Sequence, residues 1–339
     1  MKSSIIIPTA GRPAAIESAL GSLLAQSPER HDAEILVVDN NADEALADAL
    51  RAHCAQLEGR VRYAREPSPG LTAARHRGIR EARGDLLTFV DDDVEVGAGW
   101  LEAVQSGFSD PQVGVVGGPS VPRFTGSVPA WFWGFLARTP YGGWMCPWLS
   151  LIDIGNDVRG ISPAYLWGLN FSIRRSVVVA CGGFNPDLVP AQLQRWQGDG
   201  ETGLATSVEA AGIRADYLQG ALVFHQCGPE RLSAEYFRKR AFYQGVAESF
   251  TTIRSGRDPR PDSAPADRSL LRRALRAAAD ALAGGIGTRE ARKAIADAAR
   301  AARVEGWRFH QREVAADPRL LQWVRRADYL DADIRSEAA

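Results

Sequence analysis

Leu86-Leu87-Thr88-Phe89-Val90 runs directly into Asp91-Asp92-Asp93. Five consecutive apolar or β-branched residues read as a strand buried on both faces, the kind found in parallel sheets covered by helices. The flanking sequence repeats the pattern. Strand-like runs at Ser4–Ile7, Glu34–Val38 and Val61–Ala64 alternate with helical spacings at Ala14–Ala25, Asp43–Leu57 and Leu71–Arg83, and Val113–Val116 supplies a fifth strand. Right-handed crossovers then give a doubly wound, mostly parallel α/β sheet.

Ligands of such a sheet bind beyond the carboxyl ends of its strands. Unusual polar groups collect there: Pro8-Thr9 after the first strand, Asp39-Asn40-Asn41 after the second, Glu66 and the Pro67–Gly70 turn after the third, and Asp91–Asp93 after the fourth. Three adjacent carboxylates raise one another's pKa unless a cation joins them. Oxygen ligands suit Mg²⁺ or Mn²⁺, which commonly also bind substrate phosphates. The plainer reading is a solvated acidic turn; the buried strand in front and Asp39 alongside favour the cation.

These segments, taken in order, resemble glycosyltransferase family 2, whose catalytic domain has the GT-A fold. The resemblance rests on Ile5-Ile6-Ile7-Pro8-Thr9 with Arg12, Val37-Val38-Asp39-Asn40, Gly70–Arg75 with Gly78, and Leu87–Asp93. Further along it includes Trp167-Gly168-Leu169-Asn170-Phe171-Ser172 with Arg174-Arg175, then Gly182-Gly183-Phe184. It covers roughly residues 3–250 and implies an inverting transfer from a nucleoside diphosphate-sugar to an acceptor hydroxyl.

The resemblance also implies roles. Pro8, Thr9, Arg12, Asp39 and Arg75 would hold the nucleotide, with Asp39 accepting the N3–H of a uracil or thymine ring; a guanine ring offers N–H donors too. The triplet resembles a DxD motif, with Asp91 nearest the ribose, Asp93 on a Mn²⁺ or Mg²⁺ under the diphosphate, and Asp92, the middle member, counted with the nucleotide. Asp91 and His225 are further metal candidates. Trp167, Gly168 and Asn170 would face sugar or acceptor, joined by Arg195 and Trp196, although Gln192–Trp196 matches the QxxRW string of processive synthases on the wrong side of the carboxylates. The family's general base opens a helix. Here Gly198-Asp199-Gly200-Glu201 departs from the usual pattern: counting back from Leu204 selects Glu201, the preferred residue, and counting forward from Gly198 selects Asp199. The bland alternative has Asp199 capping the helix and Glu201 favouring its dipole.

The remaining sequence bounds these readings. Only three of 40 basic residues are lysines, which argues against Schiff-base chemistry and a phosphate-loop lysine. The four cysteines show no metal spacing and read as buried thiols in a reducing compartment. No signal peptide or membrane span is expected, which suggests a cytoplasmic protein. The net charge of −1 hides a division: residues 1–253 carry 22 basic and 28 acidic side chains (−6), and residues 254–339 carry 18 and 13 (+5). The expected domains follow it: a GT-A body at 1–253 with a nucleotide half to about 120 and an acceptor half at 121–253, a linker at 254–267, and a helical region at 268–339.

Two segments stay open between readings. Residues 128–151 hold Trp131, Trp133, Trp144 and Trp148; they form a small core, a loop stacking on sugar, or a membrane-dipping loop. The amphipathic helix expected at Arg268–Ala283 puts Leu271, Leu275 and Leu282 opposite Arg268, Arg272, Arg273 and Arg276. Its basic face suits docking on the body, a homodimer partner, or peripheral contact with the inner face of an anionic membrane. Nucleic acid is not an expected partner, since the body is acidic. Competing functions are a sugar-1-phosphate nucleotidyltransferase, for which the loop Ala10–Pro13 is short and lacks lysine, and a non-catalytic nucleotide-sugar or membrane-binding module. The expected partners are therefore a nucleoside diphosphate-sugar donor and a small-molecule, glycan or lipid-linked acceptor.

Overall fold

A computed structural model describes residues 1–186, 200–265 and 286–330. The first four strands are β1 (Ser3–Thr9), β2 (Ala33–Asp39), β3 (Val61–Arg65) and β4 (Leu86–Val90). They pair in parallel in the order β4-β1-β2-β3. Side chains alternate between sheet faces, so each strand feeds two cores. Ile6, Leu36, Val38, Leu87 and Phe89 enter one, and Ile5, Ile7, Ile35, Val37, Leu86 and Val90 enter the other. Helices α1 (Pro13–Leu24) and α2 (Glu44–Gln56, capped by Asp43) pack on the second core, while α3 (Leu71–Glu81) packs on the first.

Beyond β4 the pattern changes. Short β5 (Val94–Val96) is followed by α4 (Trp100–Gly107), β6 (Val113–Gly117) and β7 (Ser120–Phe124). The expected fifth strand, β6, does not sit beside β4. An antiparallel strand, Asn170–Arg174, lies between them and pairs with both. A turn closed by Asn170 N on the Trp167 carbonyl leads into those five residues. The stretch Arg214–Cys227 holds two strands in different sheets. Arg214–Tyr217 pairs with β6, then the Leu218–Ala221 turn sends Val223–Cys227 to β5 and β7.

That last strand belongs to a second, six-stranded sheet, completed by strands Ala137–Thr139, Gly142–Cys146 and Leu151–Asp153 from the tryptophan segment. Trp131, Trp144 and Trp148 pack in a small core with Phe132, Phe237 and Ile295, while Trp133 stays 54% exposed. Helix Ala234–Arg254 lies along the long helix Ile286–Ala316. Their backbones touch: a Cβ on Gly245 would meet the Arg303 carbonyl at 1.9 Å, and one on Gly306 the Phe242 carbonyl at 2.0 Å. Ala241, Ala299 and Ala302 fill the same contact, as the alanine-rich sequence suggests. Among the described residues no helix is long and apolar enough to cross a membrane. The basic stretch Arg268–Ala283 lies outside the described residues, as do Asp199, Arg195 and Trp196.

Candidate active site

The polar groups expected at the strand ends meet at one rim. Asp39 ends β2 with no exposed surface. Its carboxylate accepts from Tyr63 Oη (2.6 Å), Asn41 N (2.8 Å), Asn41 Nδ2 (2.7 Å) and Arg65 Nη1 (3.3 Å). Burial and Asp39 together push the Tyr63 phenol up to about 12, so it remains a donor. Asn40 fixes the neighbouring turn: its amide donates to the Glu66 and Ser68 carbonyls and accepts from Gly70 N. Gly70, at φ 134°, starts α3 and sets the position of Arg75.

Arg75 is 1% exposed and spans the site. Nη2 lies 3.3 Å from Asp91 Oδ1 and Nη1 lies 3.3 Å from Glu201 Oε2. Its guanidinium stacks 5.2 Å above the Phe184 ring, a cation–π contact that fixes its plane. On the other side Gly168 makes room, because a Cβ there would be 2.4 Å from Nη2. Glu201 stands in the first turn of helix Gly200–Ala210. Burial raises its pKa, but Arg75, its own backbone N–H, Arg240 and the Gly168 N–H outweigh burial and hold it below the usual glutamate value.

The three aspartates occupy different environments. Asp91 is raised by burial and by Asp93 and Glu201, against the pull of Arg75. Asp92 has no exposed surface, accepts from Thr9 Oγ1 at 2.6 Å and pairs with Arg12 at 2.5 Å. Burial still pushes it up to about 6. Asp93 is buried too, but the Arg12 and Arg231 guanidinium groups beside it hold it far below the carboxylate range.

The sheet pairing brings His225 there. Val94 pairs with His225 across β5, and Gln226 N donates to the Asp93 carbonyl at 2.9 Å. His225 Nδ1 lies 2.9 Å from the Leu149 carbonyl, which can only accept, so Nδ1 carries the hydrogen. Nε2 therefore accepts from Arg231 Nη1 at 2.8 Å. Arg231 also pairs with Asp93 Oδ2. The tryptophan segment thus orients a site residue through the Leu149 carbonyl.

The structure places the other expected residues in two groups. Pro8 is buried within β1, and Thr9 and Arg12 follow at the rim, both bonded to the triplet. Asn170, expected to face sugar or acceptor, is instead 3% exposed. Its amide donates to the Pro119 and Ala221 carbonyls and accepts from the Trp100 indole, so it ties the two sheets together. Trp167 is half-buried, with its indole donating to the Ala164 carbonyl. Arg174 and Arg175 are struts as well: Arg175 donates to the carbonyls of Ile79, Ala82 and Gly84 behind α3. Arg231 was absent from the sequence reading. Its sequence signal is slight, an arginine in a Pro-Glu-Arg turn six residues after a strand-end histidine.

A family model described as "Glycosyl transferase family 2" matches residues 4–179, just over half of the 339 residues. The chain belongs to this family. Glycosyltransferase AglE of Haloferax volcanii is 30% identical over 115 residues, 34% of this chain and 38% of AglE. The chain thus spans well under half the length of the curated relatives it matches first. Among solved structures, the mannosyltransferase PcManGT from Pyrobaculum calidifontis, in complex with GDP-Man and Mn²⁺, aligns with a TM-score of 0.53 at 19% identity, covering 96% of this chain and 88% of that one. GalNAc-T7 with UDP, GalNAc and Mn²⁺ aligns with a TM-score of 0.51 at 18% identity, covering 76% and 50%. The family 2 chain has the GT-A fold, mixed α/β sheets followed by a helical C-terminal region.

Proposed function

We propose that this chain transfers a sugar from a nucleoside diphosphate-sugar, with UDP or dTDP as the favoured nucleotide, to an acceptor hydroxyl with inversion at the anomeric carbon. Family membership supports the reaction class. The observation that carries the assignment is Arg75, which touches the triplet at Asp91 and the helix-opening Glu201 at 3.3 Å each. In this reading a donor-binding carboxylate and a proton acceptor share a single buried guanidinium.

Glu201 is the general base in this reading. It is held ionised near neutral pH, and its proton affinity is low while Arg75 stays close. Proton transfer then comes late, when the attacking oxygen has become acidic through bond formation to the anomeric carbon. Asp199 lies outside the described residues and is the alternative base. Asp39, Tyr63 and the Pro8-Thr9 segment form the base-recognition end, and Arg12, Arg75 and Arg231 supply positive charge where the diphosphate would lie.

The residues fit a divalent cation. Asp93 Oδ1 is buried with no hydrogen-bond partner, and the acceptor face of His225 Nε2 is 3.5 Å from it. Among the described residues no three His, Cys, Asp or Glu side chains form a metal cluster. Two side chains, Asp93 and His225, would therefore hold Mn²⁺ or Mg²⁺ with the diphosphate and water completing the set, while Asp91, the other expected ligand, pairs with Arg75. A bound cation neutralises the leaving diphosphate. The body at residues 1–253 is the catalytic part in this reading, and the region after the linker carries docking contacts.

The test is transfer and donor hydrolysis across a panel of UDP-, dTDP- and GDP-sugars with Mn²⁺, Mg²⁺ or chelator. Glu201→Gln is expected to bind nucleotide normally and lose transfer by about 10³-fold. Unaltered transfer in that variant removes Glu201 from the chemistry, and unaltered transfer in chelator removes the cation.

A further inference from the structure

We propose that Arg231 and the divalent cation compete for the same two side chains, so that Arg231 acts as an internal cation which the metal–nucleotide pair displaces onto the donor diphosphate. This rests on the proposed nucleotide-sugar site and adds a residue and an order of events to it.

The geometry is specific. Arg231 Nη1 lies 2.8 Å from His225 Nε2, and Nη2 pairs with Asp93 Oδ2. A guanidinium has only donors, so it consumes the imidazole lone pair and the carboxylate charge that a cation needs. His225 cannot turn its other nitrogen inward, because Nδ1 is committed to the Leu149 carbonyl. Guanidinium and cation therefore exclude one another at His225 Nε2. Arg231 comes from the short turn Pro229–Arg231, and its side chain is 20% exposed, so it has a way out of the pair. Once displaced, it keeps its charge and needs an anionic partner. The diphosphate that arrives with the cation is that partner, and it suits a planar fork of donors.

Linkage gives the consequence. Nucleotide that attracts Arg231 frees Asp93 and His225 and so raises metal affinity. Metal must raise nucleotide affinity by the same factor. Arg12 is the natural control: its guanidinium is spent on Asp93 Oδ2 and Asp92, away from the imidazole of His225 that Arg231 occupies.

The experiment measures free Mn²⁺ by electron paramagnetic resonance during titration of the full chain, with and without UDP. Wild type, Arg231→Gln, Arg231→Lys, Arg12→Gln and Asp93→Asn are compared, each first checked by thermal melting. Without UDP, Arg231→Gln is expected to bind Mn²⁺ about tenfold more tightly than wild type, and the mutual enhancement by UDP and Mn²⁺ to shrink by the same factor. Arg231→Lys, which keeps the charge but cannot bridge both partners, should fall between them and carries the test if the glutamine variant melts below assay temperature. Equal Mn²⁺ affinity in wild type and Arg231→Gln overturns the competition, as does an equal gain in Arg12→Gln, which would reduce the effect to net charge. In both cases binding that Asp93→Asn abolishes leaves the proposed function standing. If no variant binds Mn²⁺ even with UDP, the competition and the metal part of the proposed function fall together.

Discussion

Gly168→Ala tests the centre of the site with one methyl group. The new Cβ would be 2.4 Å from Arg75 Nη2 and 2.8 Å from Cζ and Nη1. Ordinary contact is about 3.4 Å, so the guanidinium must withdraw by about 1 Å. Phe184 lies against its face and Asp91 and Glu201 hold its nitrogens, so no shift preserves all three contacts. The clash meets the end of a flexible side chain, and Gly168 has no left-handed φ, so the fold has little reason to fail. Overpacking at the low end of its range costs about 1 kcal/mol. For a chain of 339 residues that lowers Tm by roughly 1–2 °C. Misplacing a reacting group by 1 Å costs on the order of 10²-fold in rate. The expected outcome is therefore a folded protein with kcat/KM for transfer down about 100-fold, read by initial-rate kinetics alongside calorimetry. Activity within about twofold of wild type would falsify the placement of Arg75 between donor and base. A rate loss that merely tracks unfolding at the assay temperature would refute it equally.

Three further outcomes follow from the same structure. Asp92, raised from 3.8 to about 6, binds a proton in the folded chain that the unfolded chain releases; its stabilising contribution is full below about pH 4 and lost as pH rises through 6. Asp92→Asn in chelator and without nucleotide is thus expected to stabilise the protein at pH 7 by about 3 kcal/mol, from roughly two units at 1.36 kcal/mol each, with the gain vanishing by pH 4 in denaturant titrations. Arg175→Ala strips donors from three carbonyls behind α3 and should cost about 3 kcal/mol with kcat unchanged well below Tm, measured by melting and kinetics on one preparation. Burial pushes Cys54 and Cys146 up to about 11 and Cys227 up to about 12, whereas Cys181 is only partly buried; a thiol reagent at pH 8 should titrate at most one thiol in native protein and four in denaturant.

The parallel half of the fold was legible because β1, β2 and β4 are buried largely on both sides by their own apolar runs, so residues 4–7, 34–38 and 86–90 carry the signal locally, and the half-buried edge strand at 61–64 follows from the alternation with helices. The second sheet was not. Its strands hold three to five residues and gain their meaning from partners far away, such as Val94 with His225 and Ser120 with Ile152. Nothing local separates Arg214–Tyr217 from Val223–Cys227, since the Leu218–Ala221 turn between them contains apolar residues that also suit a strand. Site residues divide in the same way. Arg75 and Glu201 stand in recognisable segments and meet in space. Asn170 and Arg175 stand in equally recognisable segments but spend their side chains on backbone carbonyls, because an antiparallel strand wedged between β4 and β6 needs polar ties at both ends. Arg231 becomes visible only when β5 pairing has carried His225 to Asp93.

The triplet shows why sequence could name a site without assigning its members. Three identical side chains enter one turn, and elementary electrostatics predicts only that they oppose one another. The fold resolves the conflict unequally. Asp93 receives two guanidinium groups and stays ionised. Asp91 shares Arg75 with Glu201 and is raised, and Asp92, fully enclosed, reaches the edge of the neutral range despite Arg12 and Thr9. Neighbouring carboxylates driven apart in proton affinity are a mark of divided labour. In the proposed reading the charge that would hold a cation is concentrated on Asp93, whose Oδ1 has no hydrogen-bond partner, while Asp92 adds least repulsion when it is protonated. An acidic run that would be unstable as three equal charges is thus tolerated as one strong anion, one buried hydrogen-bond acceptor and one arginine-bridged link to Glu201.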